Sequence, residues 1–112
     1  MTGAAFKKLA LSFPGTEARP HFDRTAFRTT RKTFATLSGD GKDANVMLDA
    51  DAQDAFCALH PTWAHPVAGG WGRMGWTTLV LPKADASEVR KLLADAYAMA
   101  LPAPKRKRKR GA

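Results

Sequence analysis

The sequence predicts an α+β fold, a two-layer sandwich of helices on a mainly antiparallel sheet, in the order α-β-β-β-α-β(β)-α. Three observations carry this. Short runs rich in β-branched and aromatic residues follow one another between Thr25 and Asp49, apolar residues recur at helical spacing on both sides of that block, and strict strand–helix alternation is absent. Adjacent strand signals with helices grouped around them favour an antiparallel sheet over parallel crossovers.

Phe6, Leu9, Ala10 and Phe13 stand at i, i+3, i+4 and i+7, with Lys7 and Lys8 opposite, and predict an amphipathic first helix. Pro14 and Gly15 stop it. "TAFRTT", "TFATLSG" and "ANVMLD" then read as three consecutive antiparallel strands, separated by "RK" and by "GDGKD", whose Asp and Gly suit a tight turn. Asp49 or Asp51 caps a second helix with an expected buried stripe of Ala52, Ala55, Phe56 and Leu59, ended by Pro61. "WTTLVL" is a strand from Trp76 to Leu81. The last helix opens on Asp85 and Glu88, which resemble a capping box, and buries Val89, Leu92, Leu93, Ala96, Tyr97 and Ala100 before "LPAP" closes it.

At 112 residues the chain is one domain, large enough for a single core. No apolar run reaches the roughly 18 residues that span a bilayer, and the opening residues lack the charged-then-apolar order of a signal peptide. One cysteine, Cys57, allows no internal disulfide, and a reducing cytoplasm is the expected location. The net charge of +8 is unevenly placed. "KRKRKR" at 105–110 holds six of the eighteen Lys and Arg, and without it twelve cations face ten Asp and Glu. Basicity therefore belongs to the tail, which divides the chain into a domain over 1–102 and a disordered basic tail over 103–112.

Chemistry-bearing constellations are few. Gly70-x-Gly72-x-x-Gly75 matches a dinucleotide-binding glycine pattern in letters only, because a strand follows where that site needs a helix. The glycines are instead expected to make a bend or bulge in a loop, with Arg73 accessible and Trp76 mostly buried at the head of a strand. Trp71 and Trp76 suit either burial, which aromatic residues serve first, or a ligand slot. Cys57, His60 and His65 lack the ligand number and spacing of a zinc site and the oriented base of a thiol nucleophile. Asp49, Asp51 and Asp54 are explained by the helix end they occupy. No metal or cofactor is expected. Arg24, Arg28, Arg31 and Lys32 crowd the first hairpin, where Arg28 should share a face with Ala26 and Thr30. Such a hairpin serves as a wing against phosphates, or keeps an edge strand from aggregating.

"HFDRTAFRTTRKTFATLSGDG", the Asp-led second helix, "HPVAGGWGRMGWTTLVL" and the closing capped helix together resemble the MmcQ/YjbR family over residues 3 to about 101. Gly-Trp-Gly-Arg-x-Gly-Trp and Phe-Ala-Thr-Leu are the most specific pieces. The resemblance implies a compact fold related to secretion-chaperone-like and frataxin-like sandwiches, and a DNA-binding label with a double-wing arrangement. It brings no catalytic residues, and the acidic ridge of an iron-binding frataxin is missing. The resulting expectation is a non-enzymatic, cytoplasmic, phosphate-directed DNA-binding protein. Its contacts would come from Arg24, Arg28, Arg31, Lys32 and Arg73 of the body and Lys105, Arg106, Lys107, Arg108, Lys109 and Arg110 of the tail. The alternative is a protein- or small-ligand-binding module using Trp71, Arg73 and Trp76.

Overall fold

In the computed structural model, which describes residues 1–102, six antiparallel strands form one sheet. Helix α1 (Gly3–Leu11) leads into β1 (Glu17–His21), β2 (Arg24–Arg28), β3 (Thr33–Ser38) and β4 (Asp43–Met47). After α2 (Ala50–Leu59) come β5 (Ala64–Pro66), a single helical turn α3 (Gly70–Arg73), β6 (Trp76–Val80), a 3-10 turn (Leu81–Lys83) and α4 (Ala86–Ala100). The strand order is β1-β2-β3-β4-β6-β5, so β6 slots between β4 and β5. The expected α+β sandwich is the architecture found.

Local chemistry explains the helix starts. Thr2 accepts from Ala5 N–H at 3.0 Å, Asp49 from Ala52 N–H at 2.7 Å, and Asp85 from Ser87 N–H at 2.9 Å, each satisfying an otherwise orphaned amide. Glu88 does not complete a capping box; its carboxylate lies 3.6 Å from both His60 Nε2 and Lys91 Nζ. Helices α1 and α4 pack on β3, and the pleat sends Phe27, Ala35, Leu37, Ala44, Val46 and Leu79 towards them. Phe6, Phe34, Val89 and Leu93 complete a fully buried centre. No long helix among the described residues covers the opposite face of the sheet. Nor is any described helix long and apolar enough to cross a membrane.

Three expectations need correction. A strand precedes the three that were read: β1 pairs with β2 from Glu17↔Arg28 to His21↔Arg24, and all five of its residues are exposed. An edge strand with nothing to bury carries no alternation to detect. The buried stripe of α2 is turned by about one position. Leu59 is 73% exposed, while Gln53 is buried and Cys57 half-buried beside Ala52 and Phe56. Finally, Gly70–Arg73 is a turn of helix rather than a loop bend, closed by Met74 N–H donating to the Gly70 carbonyl at 3.1 Å. Gly69, at φ +76°, lets the chain enter it.

Candidate functional site

The uncovered sheet face carries a polar row fixed by register: Ala26 stands opposite Thr36, Thr36 opposite Asn45, and Asn45 opposite Thr78. Around it lies a groove of about 360 Å³ lined by His21, Arg24, Ala26, Thr33, Thr36, Asn45, Val67, Trp71 and Trp76. Trp76 heads β6 as expected but is only half-buried, because its ring faces this groove rather than the core. Trp71, on α3, is 61% exposed.

What holds Trp71 there is a buried glutamine. Gln53 Nε2 donates to the carbonyls of Gly72 at 2.9 Å and Trp76 at 3.2 Å, and to Thr77 Oγ1 at 3.2 Å. Two glycines make the turn possible. A Cβ on Gly72 would meet the Val67 carbonyl oxygen at 1.9 Å, and one on Gly75 would meet that of Leu48 at 1.9 Å. The glycines thus allow backbone to approach backbone. They build no phosphate cradle, since α3 has four residues and the strands flanking it are antiparallel neighbours.

The cationic residues separate into distinct places. Arg24 lies in the groove, where Nε donates to Thr36 Oγ1 at 2.8 Å and Nη1 is 3.0 Å from Asp43 Oδ1. Its Nη2 is buried with no acceptor among the described residues. Arg73 is exposed on α3 and does not line the groove, so Arg24 takes the place expected of Arg73 beside the two tryptophans. The register shift between Phe27 and Arg28 takes Arg28 out of simple alternation with Ala26, and its Nε donates to the Thr29 carbonyl at 3.1 Å. Arg31 reaches the end of α4, donating from Nη2 to the Met99 carbonyl at 2.7 Å and from Nε to that of Ala100 at 3.3 Å. Lys32, half-buried, follows in the same turn. Lys105, Arg106, Lys107, Arg108, Lys109 and Arg110 lie outside the described residues.

The Cys–His candidates are spread apart in role. Cys57 is half-buried, and burial, aided by Asp54, pushes its thiol up, away from the reactive thiolate. His60 packs between Phe56 and Trp63, with centroids 4.7 Å from each. His65 is exposed on β5. No group of three or more His, Cys, Asp or Glu able to hold a metal occurs among the described residues.

Comparison with known proteins turns on one match, between residues 11–99 and the YjbR family model. The chain belongs to the YjbR family. Among solved structures, this YjbR domain is similar to a Deinococcus radiodurans protein with a DUF419 domain, at TM-score 0.79 and 16% identity, covering 95% of this chain and 86% of that one. It is similar also to a Pseudomonas syringae protein, at TM-score 0.71 and 16% identity, covering 90% of this chain and 100% of that one. At that identity the likeness concerns the fold. No curated protein matches the YjbR domain in sequence.

Proposed function

We propose that this chain is a small, non-enzymatic, cytoplasmic nucleic-acid-binding protein that engages DNA phosphates largely without regard to sequence. The observation that supports this reading is the junction between the end of α4 and the β2–β3 turn. Thr29 and Arg31 both donate to the Ala100 carbonyl. In sequence, the cationic run begins five residues later. Arg28 and Lys32 flank the same turn, so the hairpin cations stand beside the end of α4, from which the sequence runs on into 105–110. Cations grouped at one end of a domain suit phosphate-directed binding, and the family resemblance implies a DNA-binding label.

Salt decides the matter. Neutralising about six phosphates gives log K against log salt a slope near −5, each contact contributing roughly −0.9. Duplex DNA titrated with the full chain should bind at low salt and weaken along that slope, and deletion of 105–112 should remove most of it. No binding at low salt would refute the proposal. Binding that ignores salt and is lost on Trp71→Ala would favour a ligand module built on Trp71 and Trp76, with Arg24 in place of Arg73.

A further inference from the structure

The groove on the uncovered face has a polar floor, and its chemistry selects an occupant. A strand facing solvent alternates apolar-in with polar-out, and here the outward positions are small or polar: Ala26, Thr36, Asn45 and Thr78 in one cross-strand row. Ala26 gives depth, while Trp71 and Trp76 supply flat apolar surface on one side. Three hydrogen-bond facts then fix what the floor offers. Thr78 Oγ1 donates to Asn45 Oδ1 at 2.8 Å, so the side of the Asn45 amide left for the groove is its NH2. Thr36 Oγ1 already accepts from Arg24 Nε. Arg24 Nη2 has no acceptor among the described residues but is itself closed off from solvent, so the accessible donor of the floor is the Asn45 amide.

Charge narrows the class further. Asp43 already neutralises Arg24 at 3.0 Å. An anion placed on the same guanidinium would sit close to that carboxylate and be repelled, whereas a neutral carbonyl oxygen would not. We infer that the groove takes an uncharged heterocyclic ring bearing carbonyl oxygens, of the pyrimidine-base kind, stacked against Trp71 and Trp76 and accepting a hydrogen bond from the Asn45 amide. The ring enters unpaired, since pairing occupies a base edge and stacking in a duplex hides its faces. It belongs either to a free nucleoside or to an unpaired base in a strand, and in the second case the inference rests on the nucleic-acid reading above.

The test uses the full chain, tryptophan fluorescence and four probes: thymidine, adenosine (whose base has no carbonyl), single-stranded oligo-dT against oligo-dA, and duplex DNA. Thymidine should quench fluorescence and adenosine should not. If the source is a strand, oligo-dT should bind roughly tenfold tighter than oligo-dA. Asn45→Asp keeps the Thr78 hydrogen bond while replacing the donor, and Trp71→Ala removes an exposed side chain; each should abolish the thymine preference and leave duplex binding and its salt slope unchanged. Thymidine quenching with no binding of any strand would support the groove inference, with a free nucleoside as the source, and would overturn the nucleic-acid reading. Equal binding of oligo-dT and oligo-dA with no response to thymidine would overturn the groove inference and leave phosphate-directed binding standing. A thymine preference that survives both variants in folded protein would also overturn it.

Discussion

Thr29 and Ala100 are 71 positions apart in the chain, yet the buried Thr29 hydroxyl donates to the Ala100 carbonyl at 2.7 Å. The last carbonyls of a helix have no partners inside it, and this hydroxyl supplies one from the β2–β3 turn. Thr29→Val keeps the shape and removes the donor. It is expected to cost about 1–3 kcal/mol, or roughly 4–8 °C in Tm per kcal/mol for a domain of this size. Thermal unfolding measures it; an unchanged Tm would show that the Arg31 Nε hydrogen bond to the same carbonyl suffices.

Gln53 is the buried polar side chain that ties α2 to the Trp71 turn through three acceptors. Gln53→Leu leaves two backbone carbonyls without that donor and is expected to destabilise by about 1–3 kcal/mol. Because the Gly72 carbonyl is one of them, the turn carrying Trp71 should also loosen. Faster amide hydrogen exchange at residues 70–75, relative to α4, is the expected signature.

Glycine substitutions in the same segment should divide sharply. Gly75→Ala places a Cβ 1.9 Å from the Leu48 carbonyl oxygen at a φ of +112°, and should unfold the domain or nearly so. Gly70→Ala meets only Arg73 Nη2, at 3.6 Å. It should be neutral, or stabilising by about 0.4–1 kcal/mol through the lost freedom of the unfolded chain. Urea denaturation of the two variants side by side separates backbone approach from mere flexibility as the reason for glycine here.

Acid should weaken the helix and hairpin starts. The Ser87 side chain and then its amide hold Asp85 below the usual carboxylate range, and the Lys42 amide and then the Ser38 hydroxyl do the same for Asp40. A carboxylate with a depressed folded-state pKa stabilises above its unfolded value, and that stability is lost as pH falls through the folded value. The stability difference between the native chain and Asp85→Asn is therefore expected to shrink between about pH 5 and pH 2. A difference that is flat over that range would show that the cap acts without its charge.

Elements whose local chemistry agrees with their burial were legible from residue order alone. Phe6, Leu9 and Ala10 of α1, the "GDGKD" turn and the Asp85 cap lie where the pattern places them, although α1 ends at Leu11, before Phe13. Features created by distant partners were not. Nothing near Gln53 in the chain signals that carbonyls at positions 72 and 76 will draw it inward and turn α2 with it. Arg24 and Arg31 read alike as hairpin cations, but one meets Asp43 on a neighbouring part of the sheet and the other the end of α4. Trp71 and Trp76 were legible as a pair because the four residues between them, two of them glycine, leave them little room to part, whereas Arg73 among them lies outside the groove. β1 was illegible for the opposite reason, having no buried face to pattern.

The place of β6 in the sheet has a consequence for how the chain reaches its native state. Strands β1 to β4 pair with their immediate neighbours in sequence, so their contacts are local and quick to form. β6 must cross more than 25 residues to reach β4, and only its arrival gives β5 a partner. The 3-10 turn after it then receives the Met1 amine, which donates to the Leu81 carbonyl at 2.9 Å. Closure of the sheet and docking of Met1 thus belong to one late event, so that pulse-labelled refolding should protect the β2–β3 amides before those of β5 and β6. Until β6 arrives, the inward side of β4 stands open, and a second chain's β6 could fill it. The order of assembly therefore makes strand exchange between copies the characteristic error of this fold at high concentration.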